Sequence, residues 1–133
     1  MSGSRETKTI MVEIKIRVYN TRGEASRFIY VVDITGILDT NSFPEFEEKL
    51  TGILDGSGYN IVLNCRHLEF ISSTCLGLLL KVVHSARQKG GDLCLLNPSA
   101  SIQKVIKSLG FSKFFRVFQD EEKVVLYFNK KNK

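Results

Sequence analysis

Apolar and polar residues alternate strictly over residues 11–19, and this period of two predicts a β-strand with one exposed face. Residues 28–34 contain few polar side chains, so they predict a second strand closer to the centre of a sheet. Only a short turn region separates the two segments. They are therefore expected to pair as an antiparallel hairpin.

Three later segments repeat apolar residues every three or four positions, which is the spacing of an amphipathic α-helix. The first covers residues 43–54, and Ser42 with Glu45 has the spacing of a capping box at its start. The second covers residues 76–86, and the third covers residues 102–109. Each helix should bury its apolar face against a sheet.

The apolar run at residues 61–63 predicts a buried strand, followed by a loop over residues 64–69. Residues 92–96, which are apolar after Asp92, predict another buried strand. Residues 111–118 are apolar without a clear period, and residues 124–128 predict a last strand. The predicted order is β-β-α-β-α-β-α-β. Because strands joined through helices need crossover connections, the later strands should be parallel. The chain therefore predicts an α/β fold, in which helices cover a mixed sheet with an antiparallel N-terminal hairpin and parallel core strands.

Composition and charge narrow the kinds of function that the sequence predicts. The chain has 133 residues, enough for one domain with its own core, and its net charge is +5. No basic stripe interleaved with aromatic residues indicates nucleic-acid binding, and no apolar run is long enough for direct membrane insertion. The first eight residues lack the apolar core of a signal peptide, which predicts a cytoplasmic protein.

Enzyme chemistry is not indicated by the side chains. No nucleophile–base pair, Gly-rich phosphate loop or metal-ligand cluster stands out, so we expect neither catalysis nor a cofactor or metal. The three cysteines, Cys65, Cys75 and Cys94, lie in or beside apolar segments and are expected to be buried free thiols.

Three consecutive hydroxyl residues, Ser72, Ser73 and Thr74, lie at the junction where a strand and its loop end and the second helix begins. Unpaired backbone N–H groups and the positive end of the helix dipole meet there. A hydroxyl at this place can cap the helix, or it can carry a phosphate whose charge the helix end tolerates.

The sequence Phe-Ile-Ser-Ser-Thr-Cys-Leu-Gly at residues 70–77 resembles the signature Phe-hydrophobic-Asp-Ser-Ser-Gly-Leu-Gly of STAS domains, in particular of the bacterial anti-sigma-factor antagonists. Gly-Ile-Leu-Asp at residues 36–39 is similar to a Gly-x-Leu-Asp element of the same family. The order of elements also matches, and we expect a STAS domain over residues 9–129 with flexible termini at residues 1–8 and 130–133.

The resemblance implies a regulatory binding protein whose partner is an anti-sigma factor that is also a serine/threonine protein kinase. By position in the motif, Thr74 is the implied phosphorylation site, with Ser73 as the next choice. Ser72 stands where the family has Asp, Cys75 where Gly is usual, and Asn64 where many members have Asp. The implied partner-binding residues are Asp39, Ser72, Ser73, Thr74, Cys75, Leu76 and Gly77.

Several alternatives stay open from the residues alone. The three hydroxyls could serve only as helix caps, Asp39 only as a turn residue, and Cys75 either as a packing thiol or as a redox sensor. The protein could instead be a non-phosphorylated STAS scaffold subunit of a signalling or transport complex, and nucleotide binding by the loop region is a weaker third option. Both a monomer and a homodimer fit the sequence.

Overall fold

One five-stranded sheet organises the computed structural model, which describes residues 12–20 and 28–131. The strands lie side by side in chain order, and only the first pair is antiparallel. Their bounds are β1 Glu13–Asn20, β2 Phe28–Leu38, β3 Asn60–Ile71, β4 Asp92–Leu96 and β5 Arg116–Phe118. The predicted hairpin and the parallel core strands are therefore confirmed.

In the part of the chain that the structure describes, four α-helices cover both faces of this sheet. They are α1 Phe43–Asp55, α2 Ser73–Gln88, α3 Ala100–Ser108 and α4 Glu121–Lys131, with a short 3-10 turn at Ser112–Phe114 before β5. Helices α1, α2 and α3 contribute to one apolar core, and α4 contributes to a separate one. The predicted α/β architecture is confirmed, with α4 as an additional helix.

The central strands are buried on both sides because helices pack on both faces. Alternate residues of β2, β3 and β4 point into the larger core under α1 and α2, for example Val32, Leu63 and Leu95. The residues between them point to α4, where Val124 and Phe128 pack on Ile29, Val31, Val62, Cys94 and Leu96. This double burial explains the nearly continuous apolar runs in these strands.

The predicted loop over residues 64–69 is wrong, because β3 continues through it to Ile71. The second strand is nearly as long, at 11 residues against 12. The two strands pair with each other as far as their carboxyl ends, with two irregularities in register. Cys65 and Leu68 point into the core, while the polar residues Arg66 and His67 are exposed. Pairing with β2 thus keeps a polar segment in extended conformation.

The predicted last strand over residues 124–128 is also wrong, because these residues belong to α4. Val124 and Phe128 are four positions apart and share the buried side of the helix. Acidic residues in the first turn and lysines in the last turn complement the helix dipole. The fifth strand is instead formed by three residues, Arg116–Phe118, in the segment that showed no clear period.

Helix α4 extends to Lys131 and so includes the first two residues of the segment 130–133 that was expected to be a flexible terminus. The rest of that segment and residues 1–8 lie outside the described residues.

Candidate functional site

The three hydroxyl residues lie at the carboxyl end of β3, where one residue separates the strand from α2. That residue is Ser72, whose backbone N–H donates to the carbonyl of Leu38 at 2.8 Å. Leu38 is the last residue of β2. The start of α2 is therefore fastened to the ends of two neighbouring parallel strands.

Ser72 caps α2. Its backbone is extended, with φ −79° and ψ 161°, and its Oγ accepts a hydrogen bond from the N–H of Cys75 at 3.2 Å. Its carbonyl accepts from the N–H of Leu76 at 3.0 Å. Of the two uses open to the triplet, capping is therefore met by Ser72, which is half-buried.

Ser73 and Thr74 occupy the first turn of α2 and are both exposed. Within the described ranges, no group hydrogen-bonds either hydroxyl. The first turn of α2 contains no acidic residue of its own, so no side chain within that turn offsets the positive end of the helix dipole. A phosphate on either hydroxyl would be electrostatically favourable there.

Asp39 orders the turn between β2 and α1. Its Oδ1 accepts hydrogen bonds from the N–H groups of Asn41, at 3.0 Å, and Ser42, at 3.2 Å. The Ser42 hydroxyl accepts from the N–H of Asp39 at 2.9 Å and donates to the carbonyl of Ile37 at 2.7 Å. Because this hydroxyl is engaged in the turn, Ser42 makes no side-chain cap on α1, and the predicted capping box with Glu45 is wrong.

The Asp39 turn touches the first turn of α2. The Cys75 thiol donates to the carbonyl of Asp39, with Sγ and O 3.8 Å apart. The structure thus brings Asp39 and the hydroxyl residues to one end of the sheet. The Asp39 carboxylate itself is used by the turn, which is the local role open to it from the sequence.

Cys75 and Leu76 are fully buried, so their side chains support the first turn of α2 from beneath. Burial raises the pKa of the Cys75 thiol, and the negative charge of Asp39 adds to this. A thiol kept protonated is a poor nucleophile, so these surroundings favour packing over redox sensing. Gly77 is half-buried, and a Cβ added to it would meet nothing within 4 Å.

Phe70 is an exposed aromatic residue close in sequence to the hydroxyls. Its exposure was not predicted from the sequence. It is 48% exposed and lies two positions before Ser72. Its neighbour Ile71 is buried. This exposure was predictable, because neighbouring side chains of an extended strand point to opposite faces, and the apolar Ile71 is the one that faces the core.

Asn64, one of the departures from the family motif, belongs to a different part of the molecule. Its Nδ2 donates to Oδ1 of Asp33 at 2.7 Å. Arg17 joins this pair to α4, with Nε 2.5 Å from Oδ2 of Asp33 and Nη1 2.8 Å from Oε2 of Glu121. An amide fits this position because it can donate to a carboxylate, whereas an aspartate could not.

Neither a metal centre nor a membrane span is found in the described ranges. No group of three or more His, Cys, Asp or Glu side chains there could hold a metal ion. Among the helices of the same ranges, none has the length and apolar character needed to cross a membrane.

Comparison with known proteins agrees with the motif. A family model described as the STAS domain matches residues 8–124. The anti-sigma-B factor antagonist of Staphylococcus aureus (strain NCTC 8325 / PS 47) is 28% identical over 93 residues, which is 70% of this chain and 86% of that protein.

Two solved structures share the fold. The anti-sigma factor antagonist SpoIIAA in its unphosphorylated form matches with a TM-score of 0.66 and 24% identity, covering 85% of this chain and 96% of that chain. The Bacillus cell fate determinant SpoIIAA in the phosphorylated form matches with a TM-score of 0.60 and 24% identity, covering 85% and 98%. Because the family model spans most of the chain, this protein belongs to the STAS domain family.

Proposed function

We propose that this protein is an anti-sigma-factor antagonist that binds an anti-sigma factor with serine/threonine kinase activity and is switched by phosphorylation of Thr74. The observation that carries the proposal is the exposed, unbonded Thr74 hydroxyl on the first turn of α2 in a STAS domain. The name of the Staphylococcus aureus relative and the existence of SpoIIAA in a phosphorylated form support it.

The hydroxyls differ in their availability to a kinase. Ser72 is half-buried and its Oγ accepts the capping hydrogen bond, so phosphorylating it would cost the cap of α2. Ser73 and Thr74 are exposed. Thr74 is preferred because it aligns with the phosphorylated position of the family motif, and Ser73 is the next choice.

Phosphorylation at Thr74 would change the surface and leave the fold intact. A phosphate adds about −1.5 to −2 charges at pH 7, and the N-terminal end of α2 stabilises negative charge. The surface that receives this charge would be formed by Ser73, Thr74 and Gly77. Cys75 and Leu76 lie beneath it, Ser72 caps its helix and Asp39 fixes the adjoining turn. A partner that fits the neutral surface would be repelled or left with a desolvated phosphate.

A second candidate function is a non-phosphorylated scaffold subunit of a larger signalling or transport complex. It is favoured by Ser72, because the cap residue next to the acceptor carries no carboxylate and the first turn of α2 has none either. A kinase would then have to supply every charge that orients the Thr74 hydroxyl.

In either role the protein would work by binding, without catalysis of its own, in the cytoplasm. The binding unit would be the STAS domain of residues 9–129.

The experiment compares Thr74→Glu, Thr74→Ala and the wild type in capturing a partner from a lysate of the native host, followed by titration with the purified partner. We expect Thr74→Ala to bind like the wild type and Thr74→Glu to bind at least about tenfold more weakly, through the added charge. Thr51→Glu, at an exposed position of α1, is the matched control and should bind normally. Equal binding by Thr74→Glu and Thr74→Ala would reject the switch.

A further inference from the structure

A basic cleft lies at the opposite end of the sheet from the hydroxyl residues. Its volume is about 530 Å³, and it lies beside the beginning of β4 and the end of α2. Helix α2 has 16 residues and so separates the two ends by roughly 24 Å. The residues that give the cleft its chemistry are Arg87, Asp92, Lys113, Arg116, Tyr127 and Lys131.

A buried carboxylate anchors the cleft. Asp92 is 2% exposed, and its Oδ1 accepts hydrogen bonds from Nε of Arg87 and from the N–H of Leu93, both at 2.9 Å. Its Oδ2 accepts from the Tyr127 hydroxyl at 2.8 Å and lies 3.6 Å from Nε of Arg116. Burial, together with this hydrogen bond, raises the pKa of Tyr127 to about 12, so the phenol keeps its proton and donates at neutral pH.

The guanidinium groups of Arg87 and Arg116 are held in place, but their contacts within the protein do not use all of their N–H donors. Arg87 donates through Nε to Asp92 and through Nη2 to the carbonyl of Phe114 at 2.9 Å, which leaves further N–H groups free. The Arg116 guanidinium lies over the Tyr127 ring, 5.1 Å from its centroid. The Arg87 and Arg116 side chains remain 40% and 61% exposed, so their remaining donors are open to solvent.

Positive charge exceeds negative charge in this cleft. Two arginines and two lysines face one carboxylate, and Asp92 is the only acidic residue among the described residues that line the cleft. The Lys131 ammonium lies on the same Tyr127 ring, 5.9 Å from its centroid. The structure therefore concentrates unneutralised cations around a concavity of the size of a small-molecule site.

We propose that this cleft binds a compact polyanion, with a diphosphate group as the ligand chemistry that fits it best. Guanidinium groups bind phosphoryl oxygens in pairs of parallel hydrogen bonds, and lysines add point charge. Two adjacent phosphoryl groups carry more negative charge and more acceptor oxygens than a single small anion, so they can contact more of the four cations at once. This proposal is independent of the switch at Thr74, because it rests on other residues at the other end of the fold.

The test is a calorimetric titration of the full chain with inorganic pyrophosphate, with orthophosphate for comparison. We expect saturable binding of one pyrophosphate that weakens as salt is raised and exceeds the affinity for orthophosphate. The double variant Lys113→Gln/Arg116→Gln should bind about tenfold or more weakly, since two charged hydrogen-bonding groups are lost. It leaves the contacts of Asp92 with Arg87 and Tyr127 in place.

The matched control is Lys104→Gln/Lys123→Gln, which removes the same number of charges from exposed positions of α3 and α4 outside the cleft. It should bind pyrophosphate like the wild type. A parallel titration with adenosine diphosphate identifies the source of the ligand. Binding that matches or exceeds pyrophosphate supports a diphosphate carried on a nucleoside, and weaker binding supports a free polyanion.

Three results would overturn the proposal: no saturable binding at millimolar pyrophosphate, orthophosphate binding as tight as pyrophosphate, or an equal loss in the control variant. Thermal melting checks that each variant is folded. If the double variant does not fold, Lys131→Gln replaces it. The Lys131 side chain contributes to the fold only through its contact with the Tyr127 ring, so its replacement should leave the protein folded. A loss below about twofold in Lys131→Gln would then count against the site.

Discussion

Ser72 and Ser73 are adjacent residues with the same side chain and different structural roles. The Ser72 hydroxyl accepts from the N–H of Cys75, whereas the Ser73 side chain is exposed. Ser72→Ala should therefore lower the free energy of unfolding by about 1 kcal/mol through loss of the cap. Ser73→Ala should leave it unchanged or slightly higher, because alanine is the better helix former.

Urea denaturation of the two variants measures this difference directly. The capping assignment would be contradicted if Ser73→Ala lost as much stability as Ser72→Ala.

Asn64 is the second residue whose role depends on a specific contact, the hydrogen bond that its amide group donates to Asp33. Asn64→Asp would replace the amide that donates to Asp33 with a second carboxylate at hydrogen-bonding distance. We expect a loss of about 1–3 kcal/mol at pH 7, from the lost hydrogen bond and from repulsion between like charges.

The pH dependence of this variant has a definite sign. Two adjacent carboxylates raise the pKa of the pair in the folded state, so protonation relieves the repulsion and the deficit shrinks as the pH is lowered. Unfolding of Asn64→Asp at pH 7 and pH 4 would show it. Gln88→Glu, the same chemical change at an exposed position, should cost little at either pH.

At the scale of elements, Arg17 ties α4 to the sheet. Burial alone would raise the pKa of Asp33, but hydrogen bonds from Arg17 and Asn64 lower it overall, and the hydrogen bond from Arg17 lowers the pKa of Glu121. Carboxylates with a lowered folded pKa add stability that is present above their ordinary pKa and lost as the pH falls through the folded value.

Arg17→Gln should therefore destabilise the protein by about 1 kcal/mol at pH 7, a modest amount because the Arg17 side chain is 43% exposed and partly screened. The difference from the wild type should shrink as the pH falls below the ordinary pKa of Asp and Glu, about 4, and through their lowered values in the folded protein, because protonation removes both ion pairs. Urea unfolding across this range measures it. Lys15→Gln breaks an exposed pair with Glu13 and is the control, which should change the pH dependence far less, because Lys15 is the smallest of the influences that lower the pKa of Asp33. A constant difference down to pH 2 would contradict the assigned role of the ion pairs.

The exposed side of α2 offers a test of the docking surface. Gly77→Ala adds a Cβ that meets nothing within 4 Å and should raise the free energy of unfolding by about 0.5–1 kcal/mol. If a partner packs closely on this helix turn, the same methyl group should weaken its binding. Gly52→Ala on α1 also meets nothing and should stabilise the protein without affecting the partner. Unchanged partner binding by Gly77→Ala would place the docking surface elsewhere.

The elements that were predictable from the sequence are those with a sustained period. Residues 43–54 and 76–86 bury one helix face, and residues 93–96 are apolar throughout, so local pattern and tertiary environment agree. Residues 124–128 were misread as a strand because Val and aromatic residues favour strands, and the helix is decided by packing of Val124 and Phe128 on the second core.

Other features depend on contacts that local pattern does not contain. The extension of β3 past Asn64 depends on hydrogen bonds to β2, which is nearly as long, and the three-residue β5 is too short to show a period. At the candidate site, position in the motif located Ser72, Ser73 and Thr74 at the start of α2. Which of the three caps the helix became clear only from the geometry of Ser72.

In the whole molecule, the two proposed sites lie at opposite ends of one sheet and share α2. Ser73 begins this helix, and Arg87 lies in its last turn. A helix with a single conformation cannot couple the affinities of the two sites, because coupling requires an element that adopts two states. Thr74→Glu should therefore leave the affinity for pyrophosphate unchanged, and Lys113→Gln/Arg116→Gln should leave partner binding unchanged. A shift of more than about threefold in either titration would contradict independent sites.

The most direct measurement for the proposed switch is phosphorylation mapping on protein isolated from its native host. Trypsin releases residues 67–81 as one peptide that contains all three hydroxyls of the first turn and its cap. Fragmentation of the peptide bond between Ser73 and Thr74 separates Thr74 from both serines. The account predicts a phosphate on Thr74 in a fraction of the molecules that changes with growth or stress conditions. A peptide that is unmodified under every condition, or phosphorylated on Ser72, would contradict it.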